Sequence, residues 1–158
     1  MTEVAVTSAR DVAAYILGRQ GPMTAMKLQK LVYYSQAWHL VWEQRALFAD
    51  RIEAWANGPV VRALYRMHRG RFTLAGPADV GGPPAGLTDA ETSTIDAVLG
   101  AYGDESAHRL SELTHREDPW RQARERAGLS ERERGDAVIT TDAMFTYYGL
   151  TRVDAEVV

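Results

Sequence analysis

From Thr24 to Glu43 the chain reads TAMKLQKLVYYSQAWHLVWE, the longest stretch with a single hydrophobic pattern. Leu28, Leu31, Val32, Ser35, Trp38, His39 and Trp42 follow the three-and-four spacing that puts side chains on one helical face. Tyr33, Tyr34, Ala37, Leu40 and Val41 add apolar surface on the opposite side. A helix apolar nearly all round is a core helix with neighbours on several sides, and this one carries too few apolar residues in a row to span a bilayer. Thr24 is placed to cap its amino end, where backbone N–H groups lack partners.

The flanking patterns are shorter. Ser8 and Asp11 open an amphipathic helix on Val12, Ala13, Tyr15, Ile16 and Leu17, which Gly18 or Gly21 can end, and Gly21-Pro22 turns the chain into the central helix. Residues 44–51 form a turn anchored by Leu47 and Phe48, and Ile52 to Trp55 alternates like a strand, part of a small hairpin or edge packed on helices. Asn57-Gly58-Pro59 breaks the chain before a helix over 60–69, with Val60, Val61, Leu64, Tyr65 and Met67 inward and Gly70 at its end. Residues 76–86, with four Gly and three Pro, predict a surface loop without regular structure. Helices follow from Thr88 or Asp89 to Tyr102, from Ser106 to Thr114, and from an Asp118 cap with Pro119 in the first turn. Residues 128–136 are polar and exposed, and a last helix from Thr141-Asp142 carries Met144, Phe145, Tyr147 and Tyr148 up to Gly149. The expected fold is mainly α: a compact single-domain helical fold spanning residues 1–158, built around the central helix, with a small β element near residues 47–56.

Composition narrows the class. The chain has 158 residues, 46% of them hydrophobic, a usual figure for one globular domain. It has no cysteine, so disulfides and thiolate chemistry are excluded. The amino terminus carries Glu3 and Asp11 and lacks a basic start followed by an apolar core, so no signal peptide and a cytoplasmic location are expected. The net charge of −3 is unevenly spread. Residues 59–73 hold four Arg and no acid, whereas residues 74–118 hold two Arg and nine acids. There is a basic patch in an acidic chain, without the overall basicity of nucleic-acid binders.

The order K-L-Q-K-L-V-Y-Y-S-Q-A-W-H-L at 27–40, Leu47-Phe48, I-E-A-W-A-N-G-P-V-V at 52–61 and then Tyr65 resembles the Panacea domain, the family of SocA-like and GepA phage-associated proteins. Leu110 to His115 ahead of Pro119-Trp120, and the closing Tyr147-Tyr148, extend the resemblance over about residues 8–150. It implies a mostly helical antitoxin of a bacterial or phage toxin–antitoxin system, neutralising a cognate toxin by direct binding. Some members resemble adaptors that hand the toxin to a protease, so a protease is a further possible partner. The resemblance supplies no catalytic motif, and the separate DNA-binding domain that many antitoxins carry is not expected within these 158 residues.

The residues themselves offer few sites. Arg62, Arg66, Arg69 and Arg71, interleaved with Tyr65 and His68, suit an acidic protein partner better than phosphates. Aromatic residues and Arg are favoured at interface centres, so exposed members of Trp42, Trp55, Tyr65, Tyr33 and Trp120 are candidate hot spots, although most aromatics in such a chain belong to the core. The expected contact set is Arg62, Tyr65, Arg66, Arg69, Arg71, Trp42 and Trp55. His39 reads as a core histidine bonded to a carbonyl or hydroxyl, and Gln29 and Gln36 as side chains that hydrogen-bond the 52–55 strand or the 57–59 turn. His108, Glu112 and His115 share a helix face, but a fourth metal ligand is missing. No Ser, His and acid fall into a nucleophile pattern. Neither cofactor, metal nor enzymatic activity is expected, no membrane is a partner, and nucleic-acid binding is a less favoured alternative.

Overall fold

The central stretch forms the helix its pattern predicts. In this computed structural model, which describes residues 7–157 and side chains through Thr151, helix α2 runs Ala25–Glu43 and buries fourteen of its nineteen residues. The leading residues with Glu3, which bear on the signal-peptide expectation, lie outside the described ones. Thr24 caps α2 by accepting from the Lys27 N–H at 3.2 Å. Helix α1, Ala9–Gln20, begins on the Ser8 hydroxyl and closes at Gly21, whose φ of 88° lets its N–H reach the Leu17 carbonyl at 3.0 Å.

Seven helices among the described residues surround a small amount of sheet. Besides α1 and α2 they are α3 Arg62–His68, α4 Asp89–Tyr102, α5 Ala107–Arg116, α6 Asp118–Arg126 and α7 Thr141–Val157. Helix α2 packs against α1, α4, α5 and α7, which explains why it is apolar on every side. Strands β1 Met23–Thr24 and β4 Thr73–Leu74 pair antiparallel, and β2 Ile52–Trp55 lies between β3 Gly58–Val61 and β5 Val138–Ile139 in a three-stranded antiparallel sheet. The β2–β3 register places Ile52 opposite Val61 and Trp55 opposite Gly58. Pro59 is tolerated in β3 because that strand is an edge with one neighbour.

Several boundaries differ from the pattern-based expectation. Val60 and Val61 belong to β3, so α3 begins only at Arg62, and Met67 is exposed. The Gly- and Pro-rich segment contains a 3-10 turn, Pro77–Val80, held against α1 by buried Val80 and by Arg10, which donates to the Val80 and Gly82 carbonyls at 3.0 and 2.9 Å. Glu117, not Asp118, is the cap residue of α6. Gly149 does not end α7, which continues to Val157 because a glycine inside a packed helix costs only about 1 kcal/mol.

Two buried polar arrangements tie the helices together. His39 Nδ1 lies 2.9 Å from the Thr94 hydroxyl of α4, the core role expected of it. At the junction of α5 and α6, the Glu117 carboxylate accepts from Tyr34 at 2.6 Å and Tyr148 at 2.8 Å, joining α2 and α7. Burial pushes the Glu117 carboxyl above its usual range, against the pull of those two hydroxyls.

Candidate functional site

Gln29 positions the site. Its Oε1 accepts from the Val61 N–H at 2.9 Å and its Nε2 approaches the Val61 carbonyl at 3.4 Å, so α2 occupies the free edge of β3. The same Nε2 stands 2.9 Å from His68 Nε2. Because that amide nitrogen can only donate, His68 Nε2 must accept, which requires a neutral imidazole. Burial of His68 lowers its pKa in the same direction. Gln36 does the equivalent for the loop before β2, accepting from Leu47 N–H at 2.7 Å and donating to the Phe48 carbonyl at 2.8 Å. Both glutamines bond backbone, but at Val61 and at 47–48 instead of the 52–55 strand or the 57–59 turn.

Above Gln29 and His68 opens a groove of about 960 Å³ between the start of α2, the β2–β3 hairpin, the α3–β4 connection and residues 134–136. One wall is aromatic: Trp55 and Tyr65 meet edge to face at 4.9 Å, and Tyr65 meets His68 likewise at 5.5 Å. Trp55 is fixed by donating to Glu53 at 2.8 Å. Glu53 is fully buried, and Arg51 at 2.8 Å and Arg62 at 3.3 Å neutralise it. Arg71 stands on the rim, 2.5 Å from Asp79, whose carboxyl is held below its usual range by the Ala75 N–H and by Arg71. Phe72 beside it is 78% exposed.

The opposite wall depends on one buried arginine. Arg124 of α6 donates to the Ala54 carbonyl at 2.8 Å, to the Ser130 carbonyl at 2.7 Å and to the Glu133 carbonyl, with its guanidinium 5.2 Å from the Trp120 ring. These bonds hold the 128–136 segment against β2 and bring Arg134, Gly135 and Asp136 to the groove.

The hairpin turn covers a buried amine. Gly58 has φ 121°, and a Cβ there would lie 2.5 Å from Lys30 Cε. Lys30 is fully buried, its Nζ has no hydrogen-bond partner among the described residues, and burial lowers its pKa to about 7. Across the turn, Ser111 donates to the Asn57 carbonyl at 2.6 Å and Trp120 to the Trp55 carbonyl at 2.8 Å.

The model of the antitoxin SocA-like Panacea domain matches residues 28–121, more than half of the chain, from the first turn of α2 into α6. The chain belongs to the Panacea family. No curated protein and no solved structure matches it. The matched Panacea segment contains Gln29, Lys30, the β2–β3 hairpin, α3 and Phe72, and leaves out the groove wall at 134–136.

The residues expected to make contacts separate into groups on this Panacea scaffold. Trp55, Arg62, Tyr65 and Arg71 all line the groove. Arg66 on α3 and Arg69 just after its end are exposed outside it. Trp42 is 39% exposed and stacks on Trp38 at 5.3 Å, but it sits thirteen residues along α2 from Gln29, about 20 Å away. Tyr33 and Trp120 are buried and leave the list of exposed hot spots. His115 stacks on Trp120 at 4.0 Å while His108 pairs with Glu112 at 3.0 Å, so the two imidazoles of that helix face do not share a site. Sequence reasoning missed Phe72 and Arg134. Phe72 follows Arg71 directly and could have been read with the patch, whereas Arg134 reaches the groove only through Arg124, which leaves no local signal.

Proposed function

We propose that this Panacea domain is a cytoplasmic antitoxin that neutralises a cognate toxin by binding it directly, acting by occlusion without chemistry of its own. The family supplies the antitoxin class, and no described helix is long and apolar enough to cross a membrane. The observation that carries the reading is that Trp55, Tyr65, Arg62 and Arg71 meet in one groove rimmed by exposed Phe72. Aromatic and Arg side chains around a concavity are what anchors an interface, because each buries a large area and also offers a polar handle. Arg62 is the least free of them: it offsets the buried Glu53 charge and stands 3.8 Å from Asp136.

The test is co-expression with the toxin encoded beside this chain. Growth should be restored by the wild type and lost with Tyr65→Ala combined with Phe72→Ser, two substitutions that leave the ion pairs in place. Toxin should accumulate as a complex. A toxin that disappears only when this chain is present would instead indicate delivery to a protease.

A further inference from the structure

Building on that reading, we infer that the groove takes an extended acidic segment of the partner polypeptide, with a bulky apolar side chain seated between Phe72 and the Trp55–Tyr65 pair. On the apolar side, Phe72 is exposed next to an aromatic wall already fixed by the Trp55–Glu53 hydrogen bond. A phenyl ring left in water at the mouth of a groove gains most from a partner that covers it. A rigid wall also loses little side-chain freedom when it is covered.

On the charged side, the rim is unbalanced. Arg62, Arg71 and Arg134 line the groove with Asp136; counting Arg51, Glu53 and Asp79, which pair with this set, four arginines face three carboxylates, a local positive excess in a chain whose net charge is −3. Arg134 is exposed and has no ion pair among the described residues. Arg71 donates through one terminal nitrogen to Asp79 and keeps further donors for a second carboxylate. Arg66 and Arg69, exposed just outside, add to the same positive field. A local positive site on an acidic protein steers acidic segments to itself, while the acidic remainder of the surface repels them. Nucleic acid fits less well. Two of the three rim arginines are already held by carboxylates, and the charges surround a pit instead of tracking a backbone.

The shape agrees. The volume is at the upper end of the range of about 300–1,000 Å³ for ligand pockets, room for one large side chain and the backbone on either side of it. Gln29 already occupies the edge of β3, so the segment docks by side chains and charge and does not extend the sheet.

Panning a random dodecapeptide library against the full chain tests this without knowledge of the partner. The expected consensus has Asp or Glu flanking an aromatic or large aliphatic residue. A recovered peptide should lose at least about tenfold in affinity for Arg134→Glu and for Phe72→Ser, and be unchanged for Arg126→Glu, an exposed α6 charge away from the groove. A neutral or basic consensus, no enrichment, or full affinity for Arg134→Glu would overturn the inference. So would a single-stranded 12-mer oligonucleotide that binds more tightly than the peptide at physiological salt and is lost in the same variants. Neutralisation of the adjacent toxin that survives Arg134→Glu and fails in Tyr65→Ala would contradict the acidic chemistry and keep the groove. Neutralisation untouched by both would contradict the groove itself.

Discussion

Lys30 gives a quantitative handle on the scaffold beneath the groove. The amine is fully buried without a counter-charge or hydrogen-bond partner among the described residues, and burial lowers its pKa from 10.5 to about 7. Between those two pH values the unfolded chain carries a proton that the folded chain lacks, so stability rises with pH across that window. Below about pH 7 both states are protonated, and the full cost of burying the charge is present. At about 1.4 kcal/mol per pH unit, the cost at and below neutral pH is about 5 kcal/mol. Lys30→Met matches the side chain out to Cε and removes the charged Nζ. Urea denaturation followed by tryptophan fluorescence from pH 6 to 9 should therefore find the variant several kcal/mol more stable at pH 6. The difference should shrink steadily from about pH 7 toward pH 9; below that, His115, whose pKa burial and the Lys30 charge both lower, also responds to the substitution. Parallel pH profiles for the two proteins, or wild-type stability falling relative to the variant between pH 7 and 9, would refute the reasoning.

Three further predictions test other contacts. Gly58→Ala forces a side chain into a positive-φ conformation and onto Lys30 Cε, 2.5 Å away; a loss of at least about 2 kcal/mol is expected by urea denaturation, and Lys30→Met, which leaves a methyl there, should not rescue it. Glu117→Gln keeps an acceptor for Tyr34 and Tyr148 without the charge. Because the folded carboxyl has a raised pKa, the wild type loses stability as pH rises above about 4.5 through that raised value, so thermal melts should show the variant gaining on the wild type from pH 4.5 to 7. Arg124→Met removes the donors to the Ala54, Ser130 and Glu133 carbonyls, and limited proteolysis should cut residues 128–136 at least tenfold faster, with Trp120 remaining buried.

Local chemistry made much of the fold readable. The caps at Ser8, Thr24, Thr88 and Ser106 each accept from a first-turn N–H as their residue types predict, and the all-round apolar pattern of α2 follows from its four helical neighbours. What sequence could not supply was tertiary. Val60 and Val61 suit strand and helix alike, and only pairing with Ile52 and Glu53 makes them β3. Gly149 resembles a helix stop until the packing of Met144 and Tyr148 carries α7 through it. At the site, the Arg62–Arg71 patch and Trp55 were legible because they lie close together in the chain. The burial of Tyr33 and Trp120, the remoteness of Trp42 and the arrival of Arg134 depend on how distant segments pack, which spacing alone does not encode.

Isothermal titration of the purified toxin encoded beside this chain tests the central claim most directly. A one-to-one complex is predicted for the wild type, weakened at least a hundredfold by Tyr65→Ala with Phe72→Ser while circular dichroism shows the same helix content and a cooperative melt well above the assay temperature. Equal affinity for the double variant, or no binding by the wild type to a toxin that it neutralises in cells, would contradict the account.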